Sequence, residues 1–254
     1  MGTKSGGIFP RFLCGFDMKY LVLSKRLETI AKFIQQGAAV ADVGTDHGYI
    51  PVYLVQNNIA GRVIAADIEN GPLLRARASA EEYGVSDRIE FILTDGLDGL
   101  RDQGIDTVVI AGMGGETIAG ILEKAEWIRT ESIRLILQPQ TKLAELSNWL
   151  NNNRYTILDE TLVEDDGRIY TVLLVTAGNS RAPLSCAELY ADRLLMEKRD
   201  PLLPRYLDRL IEKTKRTVDG MEQARSQVRS DLLIHHKRAL EGFIRMKEET
   251  DKWL

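Results

Sequence analysis

The segment from Ala38 to Asp67 constrains the fold more than any other part of this 254-residue chain. An apolar run ends at Val43, and a turn containing Gly44 and Gly48 follows. A helix-like segment then leads to a second apolar run, which ends in Asp67. This order of strand, turn, helix, strand and acid is typical of a Rossmann-like unit, in which glycine lets the backbone approach a ligand and the acid accepts hydrogen bonds from ribose hydroxyls. The chain is therefore predicted to bind a nucleoside-containing cofactor.

The residues between the two glycines select among such cofactors. The dinucleotide fingerprint G-x-G-x-x-G is absent, because position 46 carries an aspartate. A pyrophosphate needs bare N–H groups at a helix start, and Asp46 would repel it. S-adenosylmethionine has no phosphate, and its sulfonium and amino groups are cationic, so Asp42 and Asp46 suit it better than NAD. S-adenosylmethionine is the predicted cofactor, and a plain strand-to-helix turn is the alternative.

The chain beyond this unit alternates strands and helices, which predicts an α/β fold with a mostly parallel sheet. After an opening helix at 23–36, strands are predicted at 39–43, 63–67, 89–94, 106–111 and 133–138, and helices at 49–57, 71–84, 115–126 and 142–152. Two further strands, Tyr155–Glu164 and Arg168–Ala177, are joined by a turn sequence, Asp165-Asp166-Gly167. This is the layout of a Rossmann-like class I methyltransferase sheet, with an antiparallel last strand.

Two domains follow from the change in pattern near residue 178. Residues 18–178 are predicted to form the methyltransferase domain, which is expected to fold without the rest because its sheet is complete by Ala177. Residues 179–254 are predicted to form a C-terminal helical hairpin or short coiled coil, since apolar residues recur there at helical spacing. Ser185-x-x-Glu188 predicts a capping box at its start. These helices could grip a substrate, or serve as a structural or dimerisation arm.

Composition predicts a soluble, cytoplasmic protein. The chain is 44% apolar and 28% charged, which is typical of globular proteins. Its two cysteines have no motif spacing, so neither a disulfide framework nor a metal site is predicted. No apolar run approaches the ~18 residues of a membrane helix, so no membrane partner is expected. Residues 1–17 lack the apolar core of a signal peptide and are predicted to be a cloning remnant or a disordered extension.

A third acid is predicted to join the site. Thr94-Asp95-Gly96 follows the third strand, where an acid can accept from the adenine amino group. Ligands of open α/β sheets bind beyond the carboxyl ends of the strands, at the switch in strand order. Asp42, Asp67 and Asp95 are therefore expected to share one rim.

The fourth and fifth strands end in sequences suited to a flat base. Ala111-Gly112-Met113-Gly114-Gly115 stands where many amino-methylating enzymes carry an Asn/Asp-Pro-Pro-aromatic turn, and its glycines leave space beside the methyl donor. Gln138-Pro139-Gln140 places two carboxamides that can hydrogen-bond a base edge. The alternatives are a glycine turn that begins the next helix and a simple proline turn.

Five sequence blocks together resemble one family, the bacterial tRNA adenine-22 N1-methyltransferases. The blocks are Leu23-Ser-Lys-Arg-Leu27, Ala41-Asp-Val-Gly-Thr-Asp-His-Gly-Tyr49, Ile110-Ala-Gly-Met-Gly-Gly115, Leu135-Ile-Leu-Gln-Pro-Gln140 and Glu164-Asp-Asp-Gly167. The resemblance covers residues 21–178 and implies methyl transfer from S-adenosylmethionine to N1 of an adenine in the tRNA D-arm region. The tail resembles the family's coiled-coil domain in kind only. The family often has Gln-Pro-Asn where this chain has Gln138-Pro139-Gln140, so no direct role is assigned to Gln140.

The predicted roles of the residues follow from this resemblance and from the rim. The residues predicted to bind the cofactor are Asp42, Gly44, Gly48, Asp67, Ile68, Asp95, Gly96, Ala111, Gly112 and Met113. Those predicted to be catalytic are Asp46, His47, Gln138 and Pro139. Adenine N1 carries a lone pair, so the main task is alignment, with Asp46 as a carboxylate near the base and His47 as a base contact or proton acceptor.

The tRNA partner is predicted to contact the tail and the first helix. Residues 181–254 hold 16 basic and 13 acidic residues, a balance of +3, whereas the remaining chain has a balance of -7. Lys25 and Arg26 add cations before the first strand and are predicted to bind the RNA backbone. Three alternatives remain open: another RNA as acceptor, a small-molecule acceptor, and a noncatalytic S-adenosylmethionine-binding module that uses its helices for partners. The tail could also make the protein an oligomer.

Overall fold

The computed structural model of the protein describes residues 19–178, 183–223 and 230–253. They form one sheet flanked by helices, followed by a pair of long C-terminal helices. The predicted extension at residues 1–17 lies outside the described residues. Within the described ranges, no helix combines the length and apolarity that a membrane crossing requires.

Seven strands form the sheet. They are β1 (Ala38–Val43), β2 (Ala60–Asp67), β3 (Glu90–Leu93), β4 (Thr107–Gly114), β5 (Arg134–Thr141), β6 (Tyr155–Asp165) and β7 (Arg168–Ala177). Their order is β3-β2-β1-β4-β5-β7-β6. β1 to β5 run parallel, and β7 is antiparallel to both of its neighbours. The predicted class I methyltransferase sheet with an inserted antiparallel strand is confirmed.

Eight α-helices accompany these strands in the described ranges. They are α1 (Lys25–Lys32), α2 (Tyr49–Gln56), α3 (Asn70–Glu82), α4 (Gly115–Lys124), α5 (Leu143–Asn152), α6 (Arg193–Glu197), α7 (Leu203–Gln223) and α8 (Ser230–Thr250). Successive side chains of a strand point to opposite faces, so both faces of the sheet carry an apolar core. On β1, Val40 belongs to the core under α1 and α2, whereas Ala41 belongs to the core under α4 and α5.

The element boundaries differ from prediction where local chemistry overrides periodicity. α1 begins at Lys25 because the Ser24 side chain accepts from the Leu27 N–H, and it is shorter than the predicted 23–36. β4 and β5 continue to Gly114 and Thr141, past the predicted ends, through shifts in register around the Met113–Pro139 pair.

The turn between β6 and β7 follows its sequence. Asp166 and Gly167 both have positive φ angles, 47° and 72°, as a two-residue hairpin turn requires.

The predicted helical hairpin is confirmed. α7 and α8 pack against each other and bury Val218, Ala239 and Phe243. Ion pairs from Lys237 to Glu222, at 2.6 Å, and from Lys247 to Asp208, at 3.6 Å, run between the helices and show that they are antiparallel. The capping box is present as well, with Glu188 accepting from the Ser185 N–H at 2.8 Å and Ser185 accepting from the Glu188 N–H at 3.3 Å.

The base of this hairpin shares a core with the sheet. Leu162 of β6 packs with Leu195, Leu203, Leu207 and Phe243 from the C-terminal helices. Burial of apolar side chains from both parts stabilises each against separation. The expectation that residues 18–178 fold without the tail stays a prediction, and removal of the tail would expose Leu162.

Two buried acids reinforce this junction. The Asp200 carboxylate accepts from the Leu162 N–H of edge strand β6 at 3.2 Å and from the Leu202 N–H at 2.9 Å. It thereby satisfies a backbone donor that an edge strand would leave open. The Glu160 carboxylate, 2% exposed, accepts from the Asp192 N–H at 2.8 Å. Burial raises the pKa of Glu160 from 4.5 to about 8, against the lowering effect of that hydrogen bond.

The protonation of Glu160 predicts a pH dependence of stability. Because its folded pKa lies above the unfolded value, the folded state binds the extra proton. The contribution of this proton to the stability of the folded state is complete below about pH 4.5 and is lost as the pH rises through 8. Relative to the wild type, Glu160→Gln should gain stability between pH 5 and 8, by at most about 1.4 kcal/mol per pH unit. Urea denaturation at several pH values measures this difference.

Glu164→Gln is the matched control on the same strand. Glu164 is ion-paired with Arg205, and its pKa is lowered from 4.5 by that hydrogen bond. The difference in free energy of unfolding between Glu164→Gln and the wild type should therefore stay constant between pH 5 and 8. Equal slopes for the two variants would contradict a buried, protonated Glu160.

Candidate functional site

A cavity of about 1060 Å³ opens at the carboxyl ends of the parallel strands. It lies where the chain order of the strands reverses, between β1 and β4, which is the binding position of open α/β sheets. Nearly all predicted site residues line it: Arg26, Asp42, Gly44, Asp46, His47, Asp67, Ile68, Asp95, Gly96, Ala111, Gly112 and Met113. Four predicted residues do not: Lys25, Gly48, Gln138 and Pro139.

The loop from Gly44 to Gly48 forms the floor of the cavity. Gly44, Asp46 and Gly48 have positive φ angles of 73°, 48° and 67°. The N–H groups of Gly44 and Thr45 donate to the Ala66 carbonyl, at 2.9 and 3.1 Å, which ties the loop to β2. Such backbone conformations are readily adopted by glycine and tolerated by aspartate.

Gly48, which was predicted to bind the cofactor, does not line the cavity. A side-chain carbon there would lie 2.9 Å from the Ala76 Cβ atom of α3, so its small size allows α2 and α3 to pack closely. Gly44 does lie in the cavity, where a side-chain carbon would lie 2.1 Å from the Met113 Cε atom. The two glycines therefore serve helix packing and cavity shape respectively.

Two of the acids on the rim are buried. Asp42 is 4% exposed and accepts from the Thr45 hydroxyl at 2.7 Å. Burial raises the pKa of Asp42 to about 7, against the effect of this hydrogen bond, and the nearby Asp67 raises it further. Asp67 is 9% exposed and accepts from the Glu69 N–H at 3.1 Å. A cationic or hydroxyl-bearing ligand would satisfy both carboxylates.

The pair Asp46 and His47 lies on the open side of the loop. Arg75 of α3 donates to Asp46 through Nε, at 3.2 Å, and through a terminal nitrogen, at 2.6 Å. The His47 ring stacks on the Tyr49 ring with centroids 5.3 Å apart and planes inclined by 15°. Both residues line the cavity, so the stacked pair forms part of its wall.

The third acid, Asp95, lies at the β3 end of the cavity. Its carboxylate forms an ion pair with Lys124 of α4 at 3.1 Å, and both residues line the cavity. The predicted common rim of Asp42, Asp67 and Asp95 is present in the structure. The sequence offered no signal for Lys124, because its approach to Asp95 depends on how α4 packs.

The ends of β4 and β5 differ in how far they are exposed to the cavity. A side chain at Gly112 would meet no atom within 4 Å, so the strand end leaves open space there. Gln138 is fully buried, and its carboxamide accepts from Arg26 at 2.7 Å and donates to the Pro139 carbonyl at 2.9 Å. Neither Gln138 nor Pro139 lines the cavity, so the structure does not bring these two predicted catalytic residues to it. Gln140, which had no assigned role, is the carboxamide that lines the cavity.

The two adjacent cations of α1 point to different environments. Lys25 is exposed outside the cavity, whereas Arg26 is part-buried on its wall. The extended residues 21–24 cover the same wall and are anchored by the Leu21 N–H, which donates to Gln56 at 2.9 Å. This covering segment cannot be predicted from sequence, because extended residues without periodicity carry no sequence signal.

Comparisons with known proteins agree with this geometry. A family model describing a methyltransferase domain matches residues 23–173. The tRNA (adenine(22)-N(1))-methyltransferase of Bacillus subtilis is 38% identical over 212 residues, which are 82% of this chain and 89% of that protein.

Two solved structures are similar over nearly the whole length. The B. subtilis M1A22 tRNA methyltransferase TrmK has a TM-score of 0.72 and 32% identity, covering 91% of this chain and 98% of that one. Sp1610 of Streptococcus pneumoniae in complex with S-adenosyl-L-methionine has a TM-score of 0.73 and 32% identity, covering 86% of this chain and 100% of that one. With its fold, its cavity and these similarities taken together, the chain belongs to the bacterial tRNA (adenine(22)-N(1))-methyltransferase family.

Proposed function

We propose that this protein transfers a methyl group from S-adenosylmethionine to N1 of adenine 22 in tRNA. The observation that carries the proposal is the cavity at the β1–β4 switch, where three strand-end acids face open space beside Gly112. The 38% identity to the B. subtilis enzyme over 82% of the chain specifies the reaction.

The residues of the cavity fit S-adenosylmethionine. Buried Asp67 lies at the end of β2, where its carboxylate can accept from the two ribose hydroxyls. Asp95 can accept from the adenine amino group, and Asp42 offers negative charge beside the loop. Asp46 occupies the loop where a pyrophosphate would lie, which disfavours a phosphate-bearing cofactor.

The chain's own contribution to the reaction is alignment and charge. S-adenosylmethionine supplies an electrophilic methyl group bound to a sulfonium. The glycines at the end of β4 leave space for a flat adenine, and the His47–Tyr49 pair offers it an aromatic face. Positive charge moves onto the adenine ring as N1 is methylated, and the Asp46 carboxylate would stabilise that charge. An adenine within a folded tRNA must first leave its stack to reach the cavity.

Transfer of labelled methyl to unmodified tRNA tests the proposed function. The label should appear as N1-methyladenosine at position 22 after nuclease mapping. A tRNA with guanine at position 22 is the matched control and should remain unlabelled. Binding of S-adenosylmethionine without methyl transfer to any RNA would favour a noncatalytic module. Transfer of the label to another nucleotide or another RNA would identify a different substrate.

Asp67 provides a test of the cofactor contact. Asp67→Ala should weaken S-adenosylmethionine binding by about 1.5–3 kcal/mol, because charge-assisted hydrogen bonds to the ribose are lost. Titration calorimetry measures the affinity. Asp98→Ala removes an exposed acid that does not line the cavity and should leave the affinity unchanged. An unchanged affinity in Asp67→Ala would show that Asp67 does not bind the cofactor, and Asp95 would then be the candidate for that contact.

Asp46 and His47 are proposed to act on the base. Asp46→Ala and His47→Ala should lower the single-turnover rate of methyl transfer by about 10²-fold or more, while S-adenosylmethionine affinity falls far less. Rapid-quench assays at saturating cofactor measure the rate. Asp102→Ala, which removes an exposed acid outside the cavity, is the matched control. Loss of cofactor binding in Asp46→Ala would instead assign Asp46 to the amino group of the methyl donor.

The tail and Lys25 are proposed to hold the tRNA backbone. The charge balance of +3 in residues 181–254 contrasts with -7 elsewhere, and Lys25 is exposed between Ser24 and Arg26, which both line the cavity. We retain 18–178 and 179–254 as the two proposed domains; because they share a core at Leu162, a smaller deletion than the whole tail is the cleaner test. The outer half of the hairpin can be removed without disturbing that core.

Replacing residues 219–238 by a short glycine-serine linker tests the role of the tail. The change keeps the Val218 and Ala239 layer and everything closer to the sheet. It should weaken tRNA binding and flatten its salt dependence, because phosphate contacts are lost. S-adenosylmethionine affinity should be unchanged.

Sedimentation of the shortened and full-length proteins distinguishes tRNA binding by the tail from dimerisation through the tail. A changed mass with unchanged tRNA affinity at every salt concentration would show that the tail only dimerises the protein. An unchanged mass with weakened tRNA binding supports the proposed grip.

A further inference from the structure

The carboxylate of Asp46 is an exposed group on the cavity wall that a side chain of α3 holds. The Asp46 side chain is 59% exposed, and its backbone has a positive φ angle of 48°. A side chain this exposed would by itself sample several staggered rotamers. Arg75 of α3 donates to it through Nε, at 3.2 Å, and through a terminal nitrogen, at 2.6 Å, and so favours one of them.

Both donors of Arg75 converge on the same carboxylate oxygen, Oδ1. The other oxygen, Oδ2, lies 3.7 Å from Nε2 of His47, which is too long for a hydrogen bond. Asp46 and His47 line the cavity, whereas Arg75 does not. The carboxylate is therefore held through one oxygen from outside the cavity, and Oδ2 keeps its capacity to accept on the side of His47.

The backbone position of Arg75 is set by the packing of α3 on the loop. The next residue, Ala76, is fully buried, and a side-chain carbon at Gly48 would lie 2.9 Å from its Cβ atom and 3.0 Å from its Cα atom. The loop and α3 therefore meet two residues after Asp46. The Arg75 side chain runs back towards the start of α3, where a side-chain carbon at Gly71 would lie 3.7 Å from its other terminal nitrogen. The guanidinium is thus presented to Asp46 by a packed helix.

This contact is better suited to the reaction than to folding. An exposed ion pair contributes little to stability, whereas catalysis depends on groups held at defined positions. We infer that Arg75 is a positioning residue, which holds the Asp46 carboxylate so that its Oδ2 atom faces the adenine being methylated. The inference rests on the proposed function, in which Asp46 stabilises the positive charge that develops on that ring.

The charge of Arg75 opposes this role, so its two effects on the rate differ in sign. A guanidinium beside Asp46 partly neutralises the carboxylate that stabilises a cation. Loss of that charge alone would therefore speed up methyl transfer, whereas loss of positioning would slow it. The direction of the change on removing the Arg75 donors decides between the two effects.

Arg75→Met in the full-length protein removes the donors and keeps most of the side chain. Its single-turnover rate of methyl transfer, at saturating S-adenosylmethionine and tRNA, should fall about 3- to 10-fold, because a free Asp46 would occupy the productive one of three staggered rotamers only part of the time. The affinities for S-adenosylmethionine and tRNA should be unchanged. Arg75→Lys, which keeps a charged donor but not the fork, should recover part of the rate. Rapid-quench assays measure the rates, and titration calorimetry measures the affinities.

A double-mutant cycle links the effect of Arg75 to Asp46. In the Asp46→Ala background, Arg75→Met should have no further effect on the rate, because no carboxylate remains to be held. If Arg75→Met does not fold in thermal melts, Arg75→Lys replaces it in the cycle and should be slower than the wild type only while Asp46 is present.

Arg77→Met is the matched control. It removes the same charge from the same helix, from a guanidinium that lies 4.4 Å from the centre of the Phe91 ring and outside the cavity. Its rate of methyl transfer should equal that of the wild type.

The outcomes separate this inference from the proposed function. A wild-type protein that transfers no methyl group to tRNA would overturn the proposed function itself, and a full rate in Asp46→Ala would overturn the role of Asp46 and the inference with it. An unchanged or raised rate in Arg75→Met, or an equal loss of rate with and without Asp46, would overturn the inference alone. Weaker tRNA binding with a flatter salt dependence, at an unchanged rate, would also overturn it and would make Arg75 a contact to an RNA phosphate.

Discussion

The conformation of the loop from Gly44 to Gly48 is the constraint on which the rest of the site depends. Three of its residues adopt positive φ angles, and its first N–H groups share the Ala66 carbonyl of β2. The loop therefore fixes β1, β2 and α2 relative to one another. With those elements fixed, Asp42 and Asp67 reach the same cavity from neighbouring strands, and their mutual repulsion and burial favour a cationic ligand.

The fixed acids also explain the arrangement of cations around the cavity. Arg75 compensates Asp46 from outside, and Lys124 compensates Asp95 at the far end. Arg26 is held instead by the Gln138 carboxamide and the Tyr170 ring, which are neutral groups and do not compensate its charge. Among the described residues, the cavity therefore has ion-paired acids at its ends and a guanidinium on its wall that is held by neutral groups.

The C-terminal helices are coupled to this sheet through edge strand β6. Asp200 takes up a backbone N–H of that strand, and Leu162 belongs to the apolar core of the hairpin. The hairpin is therefore held at a defined place beside β6, on the far side of β5 and β7 from the cofactor acids.

The sequence by itself determined the sheet, the two-helix tail and the acids of the rim. Strand periodicity, the glycine turn and the acid that ends β2 are local signals, because backbone conformation and strand alternation are set by neighbouring residues. The hairpin turn at Asp166 and Gly167 is of the same kind.

Only the tertiary structure decided which neighbours in sequence share an environment. Lys25 and Arg26 are adjacent, yet one is exposed and the other lines the cavity, because a helix turns them to different directions. Gln138 and Gln140 divide in the same way along β5. The packing of Gly48 on Ala76, the pairing of Lys124 with Asp95 and the core shared by tail and sheet all join residues distant in sequence. Such contacts depend on how whole elements pack, and no local pattern encodes them.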